Sequence, residues 1–398
     1  MDEEKIRESF PILEKKIKGK PIIYLDSACM SLKPKQVIDS INEYYLEYTS
    51  CGERSSHSFG RETTERMEKT RERTKKFFNA KNSSEIVFTK NTTESINLVA
   101  RSLGLKRGDK VITTDKEHNS NLVPWLQLEK IGVIHDVVEW EEEFDIENFK
   151  QKVKNAKLVS FVHTSNLDGT SVPAKEIIKI AHDAKALVML DAAQSAPHKK
   201  IDVQKLDVDF LACSGHKMLG PTGVGVLYGK KYLLEKLEPF ITGGETVEDS
   251  TYDSVKFREI PYRFEAGLQN YAGIIAFKDA LDFLDNVGMD WIQKHDAKLN
   301  EIVSKELNLP KIKLIGPENP ELRGSIFSFN IDGMGFHEIA SMLDETSNIM
   351  IRSGNHCVHS WFNAHGMKGS ARASWYLYNT EDEILKFADE VKKLVKLV

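Results

Sequence analysis

Long apolar runs are missing from this sequence, and so is any paired cysteine spacing. No stretch approaches the roughly 20 apolar residues that a membrane-spanning helix needs. The opening MDEEKIRESFPILEKK is charged and lacks an apolar signal core. A cytoplasmic protein without membrane association is therefore expected. Cysteines number only four, Cys29, Cys51, Cys213 and Cys357, scattered without C-x-x-C spacing. That argues against a disulfide framework or a zinc ribbon and leaves any exposed thiol free to react. A basic surplus is lacking too: the net charge is −5, which gives no support to a nucleic-acid or membrane-surface partner. Internal repeats, low-complexity tracts and long linkers are absent. What is present is ordinary globular composition, 40% hydrophobic and 29% charged over 398 residues, long enough for a large domain and a smaller one.

Strand-like runs at 85–89, 110–114, 133–138, 157–163, 186–190 and 208–212 alternate with helical segments. Such alternation predicts an α/β fold with a mostly parallel sheet covered by helices on both faces. Before it, a helix is expected from Pro34, where Val37, Ile38, Ile41, Tyr44, Tyr45 and Tyr48 recur as a packing face. A helix at 62–78 carries Glu65/Lys69 and Glu72/Lys76 pairs that read as a solvated face. Beyond about Gly288 the rhythm shifts to a separate α+β lobe. The expected division is a large domain at 21–288 and a small one formed by 1–20 and 289–398.

Ligands of parallel sheets sit at the C-terminal ends of the strands. The stretch that matters most is Asp207 to Gly229, DVDFLACSGHKMLGPTGVGVLYG, where two apolar runs hold Lys217 on a tight polar turn with Ser214 and His216. Gly215, Gly220 and Gly223 let this backbone turn sharply. Upstream, ALVMLD ends a buried strand on Asp191. An amine, phosphate donors and a strand-end acid are what a pyridoxal phosphate site needs, although spacing alone leaves an unrelated nucleotide site open. The triphosphate pattern G-x-x-x-x-G-K-S/T is absent around Lys217. Other strand ends contribute Thr92-Thr93-Glu94 at a helix start, Glu117-His118-Asn119, Thr164-Ser165-Asn166 and Asp191-Ala-Ala-Gln194.

In the C-terminal lobe, Cys357 follows Arg352-Ser-Gly-Asn-His356. His356, His359 and His365 crowd it, but zinc sites of this kind usually want a second cysteine or a helical H-x-x-x-H pair, so no metal is expected. A thiol in a Gly-containing loop near cationic side chains suits a mobile nucleophile. Arg372 opens a strand-like segment nearby, and its fixed fork suits a carboxylate.

The motifs NTTESINLVA, EHNSNLVPW, HTSNLDGT, LDAAQSA, SGHKMLGPTG, YRFEAG and RASWYLYNT, in this order along the chain, resemble the class V aminotransferase family of pyridoxal phosphate enzymes. Within it they are similar to the group II, SUF-type cysteine desulfurases, from Leu25 onward. The resemblance implies a fold-type I transferase whose large domain holds a mostly parallel seven-stranded sheet, with a smaller α+β C-terminal domain. It implies pyridoxal 5'-phosphate bound through Lys217, with Asp191 at the pyridine nitrogen, His118 on the ring, and Asn166 and Gln194 at the phenolic oxygen. Thr92, Thr93, Ser214 and His216 would hold the phosphate. Arg372, with Asn166, Arg352 and Arg54, is the expected substrate-binding set, and Cys357 is the expected sulfur acceptor.

The implied reaction converts L-cysteine to L-alanine and leaves a persulfide on Cys357 for iron–sulfur cluster or other thio-cofactor assembly. A homodimer and a sulfur-acceptor or scaffold protein follow as expected partners. Selenocysteine lyase, cysteine sulfinate desulfinase and transaminase chemistry are alternatives, as is a sulfur-trafficking protein that binds cofactor for structure. Three positions depart from the family pattern: Leu268 stands where a threonine is usual, Cys51 adds a thiol near Arg54 and His57, and Asn355 stands where a histidine is common.

Overall fold

The computed structural model describes residues 3–398. Its centre is a seven-stranded sheet made of β1 (Ile86–Thr89), β2 (Lys110–Thr114), β3 (Ile134–Val138), β4 (Ala156–Val162), β5 (Leu187–Asp191), β6 (Phe210–Ser214) and β7 (Gly225–Gly229). The spatial order is β1-β7-β6-β5-β4-β2-β3. All pairings are parallel except those of β7, which runs antiparallel to β1 and β6. The middle strands are almost wholly buried, as expected of strands with helices on both faces. The expected strands are thus present, shifted by one or two residues at their ends.

The second sheet is antiparallel, with β8 (Ile312–Ile315), β9 (Ile326–Ile331), β10 (Arg352–Gly354) and β11 (Ser370–Ser374) in the order β8-β9-β11-β10. Its register sets Arg352 directly opposite Arg372. Two cross-strand partners of an antiparallel pair point to the same face, so both guanidinium groups leave the sheet together.

The N-terminal segment joins the two sheets. Ile23–Tyr24 pairs in parallel with Ile349–Met350, beside the expected boundary at residue 21. Ahead of it, Ile6 and Phe10 pack into the core of the large sheet. Met1 and Asp2, which open the expected small domain, lie outside the described residues.

Two helical expectations are corrected. In the helix Lys35–Glu47, Tyr44 is buried but Tyr45 is 63% exposed and Ile38 40%. Adjacent residues on a helix lie about 100° apart, so the row of tyrosines cannot share one packing face. In the helix Ser58–Phe78, Lys69 pairs with Glu65, whereas Glu72 takes Lys75 at i+3 rather than Lys76. One residue of that helix is also far from solvated. Arg71 is buried and forms two parallel bonds to Glu265, Nη1 to Oε1 at 2.7 Å and Nη2 to Oε2 at 2.9 Å.

Candidate active site

A cavity of about 230 Å³ opens where the parallel strands end. The ends of β1, β2, β4, β5 and β6 each supply part of its wall. Helix α1 (Thr92–Ser102), following β1, gives Thr92 and Thr93, and the turn before helix α2 (Asn119–Leu128) gives His118. Asn166 comes from the loop after β4, Asp191 and Gln194 from the end of β5, and Ser214, His216 and Lys217 from the end of β6. The second sheet closes the cavity with Arg352, His356 and Arg372, and the N-terminal segment adds Ala28 and Cys29.

Close backbone approach builds the anion end. A Cβ on Gly225 would fall 2.6 Å from the backbone of Asn91, which caps α1 by accepting from Glu94 N. Only glycine lets β7 lie this near the helix start. Thr92 N donates to Ser214 Oγ at 2.9 Å, and the Thr92 and Ser214 hydroxyls are 2.7 Å apart. Thr93 Oγ1 and Ser120 Oγ, 2.6 Å apart, bind α1 to α2. Hydroxyls are thereby gathered at the positive end of a helix dipole, an arrangement that suits an anion.

Lys217 lies on the single turn Gly215–Lys217 after β6. Ser31 Oγ donates to His216 O at 3.0 Å, and Lys33 Nζ donates to the same oxygen at 2.8 Å, so the turn is fixed from outside. Among the described residues Lys217 forms no ion pair. Burial pushes its amine down to about 8, against the opposing pull of Asp191. Desolvation likewise raises Asp191, whose carboxylate accepts from Ala193 N at 2.9 Å. His118 is driven down to about 3, first by burial and then by Lys217 and Arg372, which keeps the imidazole neutral at neutral pH. Behind it, Glu117 takes bonds from Thr114 Oγ1 and Asn121 Nδ2 at 2.6 Å each and from Val162 N at 2.9 Å. Burial raises this carboxyl to about 8. Glu117 is thus a buried strut that sets the position of His118.

The Cys357 loop is docked onto these same turns. Asn119 N donates to Cys357 O at 2.7 Å, and Asn166 Nδ2 donates to His356 O at 2.7 Å. Both His356 and Cys357 have positive φ, 49° and 61°, a region that residues with a Cβ seldom occupy. Arg352 Nη2 lies 3.8 Å from Cys357 Sγ. The three nearby histidines do not converge: His356 meets Ser370 Oγ, His359 meets Asn119, and His365 stacks on Trp361.

Arg372 donates through Nη1 to Asn166 O at 2.8 Å and lies 3.4 Å from Asp26. Its Nε and the Oδ1 of Asn166, both buried and both from residues lining the cavity, have no partner among the described residues. Buried polar atoms are rarely left so. A free donor and a free acceptor at one cavity, beside two cross-strand arginines, fit a ligand that carries an anionic group and polar substituents.

Of the residues expected from the sequence, Thr92, Thr93, His118, Asn166, Asp191, Gln194, Ser214, His216, Lys217, Arg352 and Arg372 meet here, with Cys357 beside Arg352. Arg54 does not. It is on the surface, donating to Val247 O at 3.0 Å and facing Glu245. Glu117 was expected only as part of a strand-end turn, without a role of its own, and Cys29 was not expected here. Glu117 stands in the polar turn Asp115-Lys116-Glu117-His118, where nothing local marks it as buried, and nothing local marks Cys29.

The aminotransferase class-V family model matches residues 23–387. A probable cysteine desulfurase of Synechocystis is 42% identical over 98% of this chain and 95% of its own length. Among solved structures, the apo cysteine desulfurase of Thermococcus onnurineus superposes with a TM-score of 0.95 at 38% identity, covering 99% of this chain and 98% of that one. The cysteine desulfurase CsdA of Escherichia coli gives 0.92 at 31% identity, covering 100% and 99%. With its cavity at the strand ends and a match across nearly its whole length, the chain belongs to the class-V aminotransferase family.

Proposed function

We propose that the protein is a pyridoxal 5'-phosphate-dependent cysteine desulfurase that takes sulfur from L-cysteine onto Cys357 and releases L-alanine. The observation that carries this reading is the sharing of one cavity by the amine of Lys217, the hydroxyls at the α1 terminus and two arginines, with the Cys357 thiol beside one of them. Relatives named cysteine desulfurase at 31–42% identity support it.

The residues present fit the cofactor: an amine, a hydroxyl-lined helix start, a strand-end carboxylate and two unpartnered polar atoms. Thr92, Thr93, Ser214 and His216 would hold its phosphate, Asp191 its ring nitrogen, His118 its face, and Asn166 and Gln194 its phenolic oxygen. When bound, the cofactor supplies an aldehyde that takes up amines and a ring that draws electrons from the α-carbon of the substrate. Arg372 grips the substrate carboxylate, because its planar fork matches two oxygens. Lys217 Nζ, already lowered toward neutrality, takes the α-proton. Cys357 Sγ accepts the sulfur as a persulfide while alanine leaves.

The same reading divides the chain into a large domain, 21–288, and a small one, 1–20 with 289–398. It makes the protein a homodimer, which accounts for Arg54 lying outside the cavity of its own chain, and for exposed Leu46, Tyr252 and Leu268. It places the enzyme in the cytoplasm; no helix among the described residues is long and apolar enough to cross a membrane. A sulfur-acceptor or scaffold protein collects the persulfide for iron–sulfur or other thio-cofactor assembly. The test is cysteine-dependent alanine formation: wild type turns over, while Lys217→Ala and Cys357→Ala do not. Full alanine and persulfide yield from Cys357→Ala would refute the role given to that thiol.

A further inference from the structure

Cys29 takes no part in the reaction set out above, yet it lines the same cavity as Lys217 and Arg372. Its backbone is tied down: Ser27 N donates to Ser374 O at 3.1 Å, Ala28 N to Ser374 Oγ at 2.9 Å, and Gln194 Nε2 to Ala28 O at 2.7 Å. Arg352 Nη1 donates to Cys29 Sγ at 2.9 Å, while Nη2 of the same guanidinium faces Cys357 Sγ at 3.8 Å. A rigid planar group therefore holds two thiols at its two ends. The other cysteines differ, for Cys213 is buried in the core and Cys51 is exposed. Arg372 and Asn166, whose Nε and Oδ1 find no partner among the described residues, line the cavity together with Cys29 and Lys217, which marks it as ligand space.

The two thiols are held differently. Cys29 is stitched to the second sheet, whereas Cys357, held to the large sheet's turns through Asn119 N and Asn166 Nδ2, rides on two consecutive positive-φ residues that glycine would occupy more readily. A persulfide on Cys357 extends its reach by one S–S bond, about 2.05 Å. Any relaxation of that loop swings the outer sulfur about Arg352, where the nearest fixed thiol is Cys29.

We propose that Cys29 is a second sulfur carrier, which takes the outer sulfur from the Cys357 persulfide and holds it inside the cavity. This rests on the desulfurase reading. The Cys29 thiolate attacks the outer sulfur, the bond between that sulfur and Cys357 Sγ breaks, and its electron pair stays on Cys357 as thiolate. One S–S bond forms as one is lost, and the outer sulfur keeps its proton. No oxidant or reductant is consumed, so the exchange runs in either direction. Cys357 is freed for another turnover before an acceptor arrives, and the parked sulfur returns by the reverse step.

The test uses the holoenzyme in a Cys51→Ser background, given L-cysteine without reductant or acceptor, then alkylated and mapped by mass spectrometry. Sulfur is expected on both the Cys29 and Cys357 peptides, with a burst of about two alanines per chain that falls to about one in Cys29→Ala. Sulfur confined to Cys357, with a burst indifferent to Cys29→Ala, overturns the relay and leaves the desulfurase reading intact. Absence of any alanine overturns that reading itself. Sulfur on Cys29 in a Cys357→Ala chain also overturns the relay, since it arrived by another route. Independently of turnover, diamide treatment of the cofactor-free protein is expected to join Cys29 to Cys357, and failure of this cross-link puts the thiols out of reach of one another.

Discussion

Arg352 and Arg372 occupy one rung of an antiparallel pair, yet among the described residues only Arg372 reaches a carboxylate, that of Asp26 at 3.4 Å. Like charges set opposite one another on a sheet repel, and burial lowers Arg372 further from its ordinary value. The pair makes sense as a receptor for an anion. Arg372→Lys keeps the charge but loses the fork. It should raise KM for cysteine roughly tenfold to a hundredfold, the equivalent of about 1.5 to 3 kcal/mol for a bond to a charged group, with a smaller change in kcat. Steady-state kinetics decide the point, and an unchanged KM would remove Arg372 from the substrate.

Gly225 sets the width of the anion end. Gly225→Ala drives a Cβ to within 2.6 Å of the Asn91 backbone, and the helix start must retreat. Overpacking of this kind costs about 1–3 kcal/mol, and here the displaced group is the phosphate cradle itself. Weaker cofactor binding by titration, together with a lower Tm, is the expected pair of effects. Wild-type affinity in the variant would show that α1 does not hold the phosphate.

The Arg71–Glu265 pair is buried, and Glu265 Oε1 also accepts from Phe88 N at 2.8 Å. Removing Glu265 leaves the buried Arg71 with only the longer contact to the part-exposed Glu68, 3.3 Å, and the Ile86 carbonyl, and breaking a buried pair in this way costs about 3–5 kcal/mol. Glu265→Ala should therefore lower the Tm sharply. The effect belongs to the fold, so cofactor should leave the difference between variant and wild type in place.

Lys217 gives a pH dependence in the cofactor-free protein. Its folded value of about 8 lies below its ordinary 10.5. Between these the unfolded chain carries a proton that the folded chain lacks, so stability rises with pH across this window. The gain is at most about 3 kcal/mol. It should be present in the wild type and missing from Lys217→Met when denaturant midpoints at pH 8 and pH 10.5 are compared. Equal slopes in the two proteins would mean that the amine is not held near neutrality.

Much of this was legible in the sequence because the large sheet is built from local signals. Buried parallel strands read as short apolar runs, and the turns that follow them carry the polar residues that face a ligand. The same logic missed what depends on distant partners. Ile312–Ile315 and the hairpin Val247–Ser250 with Val255–Phe257 are short and half exposed, with little apolar rhythm. Arg71 looked like one more charge on a solvated helix until Glu265, far along the chain, came beside it. Cys29 looked scattered, and it takes the pairing of Ile23–Tyr24 with Ile349–Met350 and the bonds of Ser27 and Ala28 to Ser374 to carry its segment to Arg352. Tyr45 failed for the opposite reason, since a run of aromatics was taken as one face where helix geometry spreads it over two.

The measurement closest to the central claim is borohydride reduction of the cofactor-loaded protein followed by peptide mapping. A pyridoxyl group on Lys217, and on no other lysine, is the predicted result. An unlabelled Lys217, or a label on a different side chain, would contradict the account.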